Sequence, residues 1–243
     1  MPLNPLSSLA ELQQRLGDHG LTCIGGFAPA ATDDAGTAAQ ILVVANIGSA
    51  MFERFRKAPE AGDGKPDPLD RWTRRIVDVI AADAAARPVY PFDGPPWPPF
   101  QRWALRADPG LHRSPIGLLV SAASGPWLGL RAALLLAEPL PLPERPAIAS
   151  PCDDCATKPC LTTCPVGAFR QDGYRVADCR AYLGTLSGQS CMMLGCAARR
   201  ACPAGREHAY GQAHATFHMR AFRSSPGASA PGSVTPPPGP ASA

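Results

Sequence analysis

The stretch of sequence that decides the fold reads Cys152-Asp-Asp-Cys155-Ala-Thr-Lys-Pro-Cys160-Leu-Thr-Thr-Cys164-Pro-Val-Gly-Ala. Four more cysteines follow it, and the last of them again precedes a proline: Cys179, Cys191, Cys196 and Cys202-Pro203. Eight of the nine cysteines in the 243-residue chain therefore fall within residues 152–202. Their thiols must organise this segment, as disulfides, as metal ligands or as ligands of a cluster.

Disulfides require an oxidising compartment and normally an export signal. Residues 1–20 have neither a basic start nor a continuous apolar run, which argues against a signal peptide. The longest apolar run, residues 132–137, is far too short to cross a bilayer. We therefore expect a cytoplasmic protein without a membrane partner, in which the cysteines stay reduced and hold metal.

The spacing of the first four cysteines is that of the bacterial ferredoxin pattern C-x2-C-x2-C-x3-C-P, except that the middle gap has four residues. In that pattern the fourth cysteine ligates the other cluster, and the proline turns the chain away. Eight cysteines then suit two [4Fe–4S] clusters of four thiolates each. We expect Cys152, Cys155, Cys160 and Cys202 to hold one cluster, and Cys164, Cys179, Cys191 and Cys196 to hold the other.

Two structural zinc sites are the alternative interpretation. Zinc ribbons and fingers typically combine two CxxC pairs, or one CxxC with a pair of histidines. This segment has a single CxxC and two Cys-Pro pairs, and its small residues Gly167 and Ala168 let the backbone approach a bulky cluster. The pattern favours iron–sulfur clusters over zinc.

The order of the other patterns predicts an α+β fold. We expect an N-terminal mixed α/β domain over residues 1–149, a mainly helical, bacterial-ferredoxin-like two-cluster module over residues 150–223, and a disordered tail over residues 224–243. The tail has no charged and no aromatic residue and is rich in Pro, Gly, Ser and Ala, so it has too little apolar surface to fold.

Five local patterns can be assigned to elements within the N-terminal domain. They are a helix capped by Ser8 and Glu11, a buried strand over residues 41–45, a helix that begins at Pro68 after Asp67, an extended proline-rich loop over residues 87–99, and an antiparallel hairpin between residues 116–122 and 128–137. Cys23 lies in an apolar setting that predicts a buried, inert thiol. His214 and His218, four residues apart, have a spacing that can bind metal on a helix. Because no acidic partner accompanies them, we expect an exposed helix face instead.

Charge limits the classes of partner. The formal charge is +3, from 23 basic and 20 acidic residues, which gives no electrostatic reason to expect a nucleic acid or an acidic membrane. Apolar residues make up 45% of the chain, which excludes a wholly disordered protein.

Residues 152–202 resemble the two-cluster module of epoxyqueuosine reductases and related corrinoid-dependent reductases. The resemblance rests on the first four cysteines with CPVGA, on Cys179-Arg-Ala-Tyr182-Leu183, and on the final Cys-Pro pair. It implies that Cys179 ligates the second cluster. That family usually has GCDDCQxxCP in its second half, whereas Cys196 and Cys202 here are separated by five residues, so Cys191 is assigned by counting.

The N-terminal domain resembles the same family through residues 104–136. In the family this domain holds a cobalamin, and an acid serves as proton donor. The resemblance implies a corrinoid here, with Asp93 as the catalytic acid and His112 in the stretch that would face the cofactor. From the residues alone, Asp93 also fits an acid that caps a turn, and His112 a structural histidine. The resemblance does not extend to the longer C-terminal repeats that help that family bind tRNA, so we do not expect a tRNA substrate.

Three functions follow from these patterns. The first is a reductase that takes electrons from a redox partner, such as a reduced flavodoxin or ferredoxin, and relays them through the clusters to a cofactor or substrate at the N-terminal domain. The second is a non-catalytic ferredoxin-type electron carrier. The third is a zinc-stabilised interaction protein, which an anaerobic visible spectrum would distinguish because zinc sites are colourless.

Overall fold

The structure is a computed structural model, and it describes residues 8–225. Helices and antiparallel strands are mixed along the chain, so the predicted α+β class is confirmed. The chain divides into two compact units, of which the first comprises residues 8–157 with 202–211 and the second residues 158–201 with 212–225. Beyond Ser224 and Ser225, the predicted tail lies outside the described residues.

The described part of the first unit contains four α-helices and six strands. The helices are α1 (Leu9–Gly17), α2 (Ala50–Phe55), α3 (Pro68–Asp83) and α4 (Phe100–Ala107). The strands are β1 (Thr22–Phe27), β2 (Gln40–Ile47), β3 (Ala86–Val89), β4 (His112–Arg113), β5 (Leu119–Val120) and β6 (Leu128–Leu136). Short 3-10 turns occupy Ala31–Asp33, Pro59–Ala61 and Arg206–His208.

The main sheet has the order β1-β2-β6-β3, and all of its neighbouring strands are antiparallel. Strand β2 is interior and buried along almost its whole length, which explains its unbroken apolar sequence. Alternate β2 side chains, Ile41, Val43 and Ala45, pack in one core cluster with residues of α4. Leu42 and Val44 point to the opposite face and are equally buried, so helices cover both faces of the sheet.

Two of the predicted local patterns are confirmed by their contacts. The Ser8 hydroxyl accepts a hydrogen bond from the Glu11 amide at 3.2 Å and so caps α1. Pro68 is the first residue of α3, as expected, although the side chain of Asp67 makes no capping hydrogen bond. The backbone of Asp67 is left-handed and so lacks the extended conformation that N-cap residues usually adopt.

The predicted hairpin between residues 116–122 and 128–137 is wrong. Strand β5 pairs with β4 in a separate two-stranded sheet, and β6 pairs with β2 on one side and β3 on the other. Strand β6 lies inside the main sheet, so both of its edges are already paired. The turn between β5 and β6 packs closely against Ala204. A Cβ added at Gly125, in this turn, would lie 2.0 Å from the Ala204 carbonyl oxygen.

The predicted extended loop over residues 87–99 is wrong at its start, where β3 forms an edge strand with Pro88 inside it. An edge strand tolerates proline because only one of its sides is hydrogen-bonded. Helix α4 follows this loop and was missed in the sequence. The prolines of the preceding loop end at Pro99, immediately before the helix. The buried face of the helix has helical spacing and consists of Phe100, Trp103, Ala104 and Ala107.

The described part of the second unit is mainly helical. Its helices are α5 (Pro159–Thr162), α6 (Val176–Leu183), α7 (Gln189–Leu194), α8 (Ala197–Arg200) and α9 (Gln212–Ser224), and its strands β7 (Phe169–Arg170) and β8 (Gly173–Tyr174) form a small hairpin. Helix α7 packs against α6 and α9, and α5 packs against α8. No helix between residues 8 and 225 combines the length and apolar character needed to cross a bilayer.

Candidate metal centre

The second unit places four of the predicted ligands on four different segments. Cys164 follows α5, Cys179 lies on α6, Cys191 lies on α7, and Cys196 immediately precedes α8. Helix α7 packs on α6 and α8 packs on α5, so these segments lie together in two pairs. Cys191 is buried, and Cys164, Cys179 and Cys196 are partly buried.

The four thiols lie close enough to influence one another's ionisation. Burial raises the pKa of Cys179, and the neighbouring Cys164 and Cys191 thiolates raise it further. Burial also raises the pKa of Cys196, and Cys179 and Cys164 add to that effect. Such repulsion between thiolates is removed when a cation binds them. The structure therefore brings together the second predicted set; its role as a ligand set stays a prediction.

Backbone amides donate to two of these sulfurs. The Ala168 amide donates to Cys164 Sγ at 3.4 Å, within the CPVGA segment. The amides of Ala198 and Arg199 hydrogen-bond the Cys196 sulfur, which partly offsets the burial effect on its pKa. The small side chain of Ala168 allows this approach, and that residue is itself fully buried.

A tyrosine hydroxyl lies near a third sulfur. The hydroxyl of Tyr174, on β8, lowers the pKa of the Cys179 thiol, and the thiol raises the pKa of the hydroxyl. Its ring is stacked on Phe169 with centroids 4.8 Å apart and on Phe222 with centroids 6.3 Å apart. Partial burial and the neighbouring Cys179 raise the pKa of Tyr174, so the hydroxyl keeps its proton at neutral pH and can donate to a ligating sulfur.

The backbone links this hairpin to two of the cysteines. The Arg175 amide donates to the Ala168 carbonyl oxygen at 2.8 Å and closes the base of the β7–β8 hairpin. The Arg175 carbonyl oxygen then accepts from the Cys179 amide at 3.2 Å. The segment that donates to Cys164 and the tyrosine near Cys179 thus belong to one hydrogen-bonded hairpin.

An apolar cluster backs the thiols. Leu183, Cys191 and Met192 form its buried centre, and Cys179, Tyr182, Ala197, Met219 and Phe222 pack around it. Thiolates that hold an iron–sulfur cluster accept hydrogen bonds from amides and lie in partly dehydrated surroundings. The second set has both features, so its residues fit a cluster. In the part of the chain that the structure describes, no three His, Cys, Asp or Glu side chains are grouped tightly enough to hold a single metal ion.

The first predicted ligand set is divided between the units. Cys152, Cys155 and Cys202 belong to the first unit and Cys160, on α5, belongs to the second. All four are partly buried. None of the nine cysteines, which all fall within residues 8–225, forms a disulfide.

The two residues expected to serve a corrinoid are engaged in local structure. The carboxylate of Asp93 accepts from the Tyr90 amide at 3.0 Å and pairs with Arg74 at 2.5 Å, and 38% of its side chain is exposed. A proton donor at neutral pH needs burial, which Asp93 lacks. His112 Nε2 lies 2.7 Å from the Ile148 carbonyl oxygen and so ties β4 to the segment that precedes the cysteines.

The structure confirms the prediction for Cys23 and contradicts the prediction for His214 and His218. Cys23 is buried in β1, and burial raises the pKa of its thiol to about 11, as an inert thiol requires. The expected exposed face at His214 and His218 is wrong, because His214 is 1% exposed and its Nε2 lies 3.0 Å from His218 Nε2. Helix α9 packs that side against α7, which the four-residue spacing by itself did not reveal.

Sequence reasoning missed Tyr174. A single tyrosine five residues before Cys179 carries no signal of its own, since the contact depends on the hairpin that folds between them. Phe169 and Tyr174 could have indicated this hairpin from the sequence, because aromatic residues that face each other are typical of paired strands.

No known family model matches this chain, and neither does any curated protein. Among solved structures, one similar chain is epoxyqueuosine reductase from Streptococcus thermophilus, with a TM-score of 0.49 and 15% sequence identity. The match covers 81% of this chain and 66% of that chain, so this chain spans a little less than two thirds of the reductase.

Proposed function

We propose that this protein is an iron–sulfur redox protein with two [4Fe–4S] clusters, and that it relays electrons from a donor protein to a substrate or cofactor at its N-terminal domain. In this role it would act as a reductase that resembles epoxyqueuosine reductase. The observation that carries the proposal is that Cys164, Cys179, Cys191 and Cys196 come from four segments of one unit, in which α6 packs on α7 and α5 packs on α8, with Cys179 near each of the other three thiols.

The residues around the second set would hold a cluster and tune it. A bound [4Fe–4S] cluster supplies one-electron redox chemistry. The amide of Ala168 and the hydroxyl of Tyr174 would stabilise the negative charge on the ligating sulfurs. The apolar cluster centred on Leu183 would keep water away from them.

The first cluster is supported by spacing. Cys152, Cys155 and Cys160 follow one another at ferredoxin-like intervals, and Cys202-Pro203 supplies a fourth thiolate that precedes a proline. Cluster ligation requires reduced thiols, so we propose that the protein is cytoplasmic.

A corrinoid finds no fitting residues at the predicted positions. Both carboxylate oxygens of Asp93 and the Nε2 atom of His112 are committed to partners within the first unit. We therefore assign no step to a corrinoid.

The test is anaerobic reconstitution followed by assays of iron, labile sulfide and zinc. We expect eight irons and eight sulfides per chain, from two clusters of four. About four of each would reduce the proposal to one cluster. Two zinc ions per chain without sulfide would overturn it in favour of a zinc-stabilised protein.

A non-catalytic electron carrier is the second candidate, and the engagement of Asp93 and His112 in local structure favours it. The two functions differ in whether the first unit binds a further redox-active molecule. A second chromophore that copurifies anaerobically, or a changed EPR spectrum when cob(II)alamin is titrated into the protein, would support the reductase. Clusters alone, with neither result, would support the carrier.

A further inference from the structure

Charge is distributed unequally between the two units. Residues 158–201 and 212–243 contain eight basic and two acidic side chains, a formal charge of +6, whereas the rest of the chain has 15 basic and 18 acidic side chains. The arginine-rich composition of the chain as a whole does not explain this, because the difference arises from the scarcity of acids in the second unit. A strongly basic unit attracts an acidic partner.

One of these arginines lies beside a turn that exposes an apolar residue. Leu186, in the turn between α6 and α7, is 90% exposed. The C-terminal end of α9 lies beside the same turn, since an Arg223 guanidinium nitrogen is 3.7 Å from the position of a Cβ at Gly184. Arg220 precedes Arg223 by three residues, so both lie on one side of α9, and both are exposed. We call Leu186, Arg220 and Arg223 the basic patch.

The basic patch is joined directly to the candidate metal centre. The Arg180 guanidinium, on the helix of Cys179, donates to the Phe222 carbonyl oxygen of α9 at 3.1 Å. Phe222 and Leu183 belong to the apolar cluster that packs against Cys179 and Cys191. A protein bound at the patch would therefore sit over the elements that carry two of the predicted ligands.

We propose that the basic patch is the docking surface for an acidic electron-donating protein. This inference rests on the proposed function, and it adds the class of the donor and the place where it binds. Long-range attraction to the basic unit would steer the partner, and Leu186 would supply the apolar contact at the centre of the interface. An exposed leucine favours a protein over a nucleic acid, whose backbone offers phosphates to basic residues and little apolar surface.

The test measures binding of two acidic probes, an oxidised flavodoxin and an oxidised ferredoxin, to the anaerobically reconstituted full-length protein by calorimetry at low and high salt. We expect at least one probe to bind and to bind more weakly as salt rises. The double variant Arg220→Glu/Arg223→Glu should bind that probe about tenfold more weakly. Leu186→Ser, which changes no charge, should weaken it about fivefold.

Two controls match these variants. Arg54→Glu/Lys57→Glu changes the same total charge at two exposed residues of the first unit that are also three apart, and Val79→Ser removes an exposed apolar side chain elsewhere. Both should bind as the unmodified protein does. The inference is overturned if neither probe binds, if the control double variant loses as much affinity as the patch variant, or if only an RNA oligonucleotide binds the patch. Iron and sulfide assays on the same samples separate this outcome from failure of the proposed function, which predicts clusters whatever the probes do.

Discussion

The hydroxyl of Tyr174, on the β7–β8 hairpin, lies near the thiol of Cys179 on α6 and lowers the pKa of that thiol, whereas burial raises it. Ring stacking with Phe169 and Phe222 holds the tyrosine in place. A donor to a ligating sulfur stabilises the more negative, reduced state of a cluster and so raises its reduction potential. We therefore expect Tyr174 to raise the reduction potential of the predicted second cluster.

Replacing Tyr174 with phenylalanine should lower the midpoint potential of one cluster and leave the other unchanged. Loss of about 1 kcal/mol of differential hydrogen bonding corresponds to roughly 40 mV for a one-electron couple. An EPR-monitored redox titration measures the shift. Tyr182→Phe is the matched control, because that hydroxyl donates to the Ser187 carbonyl oxygen and to no cysteine. Equal potentials in the two variants would contradict the role of Tyr174.

Single cysteine variants should separate the two predicted clusters. Cys196→Ser and Cys155→Ser should each lose about half of the bound iron and sulfide, because each removes a ligand of a different set. Cys23→Ala should retain all of it, since Cys23 lies in β1, outside both predicted ligand sets. Metal and sulfide assays, with melting curves as a check on folding, measure these effects. Full iron in Cys196→Ser would remove that residue from the ligand set.

The turn between α6 and α7 should not tolerate a side chain at Gly188. A Cβ there would lie 2.0 Å from the Tyr182 carbonyl oxygen, so the backbone that spaces Cys179 from Cys191 must shift. Gly188→Ala should lower both the melting temperature and the iron content after reconstitution. Gly62→Ala is the control, because no atom lies within 4 Å of its added Cβ. Unchanged iron in Gly188→Ala would mean that this spacing is not critical.

Asp33 should contribute strongly to the stability of the first unit. Its carboxylate is fully buried, accepts from Trp103 Nε1 at 3.1 Å and from the Ala30 amide at 2.7 Å, and pairs with Arg106. Removing one member of such a pair costs about 3–5 kcal/mol. Asp33→Asn should lower the free energy of unfolding, measured in urea, by about 3–5 kcal/mol. Asp34→Asn, at the exposed neighbouring residue, should change the free energy of unfolding little.

The contribution of Asp33 should depend on pH. Burial alone would raise its pKa, but the Ala30 amide and the Arg106 guanidinium outweigh burial and hold the pKa below its ordinary value. A carboxyl group whose pKa is lowered by folding stabilises the protein above its unfolded pKa, about 3.9, and loses that contribution as the pH falls through the folded pKa. The difference between the unmodified protein and Asp33→Asn should therefore shrink below about pH 4. A constant difference down to pH 2 would contradict this account.

The sequence by itself was sufficient to predict structural features that depend only on residues close together in the chain. The capping of α1 by Ser8, the start of α3 at Pro68 and the buried run of β2 follow from local hydrogen bonding and from the spacing of apolar residues. The crowding of eight thiols into one segment likewise predicted a metal-binding function without any structure. These features are short in range, so the order of residues nearly specifies them.

Only the tertiary structure decided which distant residues meet. Strand β6 pairs with β2 and β3 although the preceding β5 is nearer in sequence, because burial of both sheet faces outweighs the proximity of neighbours. The contact of Tyr174 with Cys179, and the approach of Cys164 to Cys196, depend in the same way on how helices and a hairpin pack. The sequence shows how many candidate ligands there are and how they are spaced. The contacts between separate elements, and therefore the surroundings of each ligand, are determined by packing.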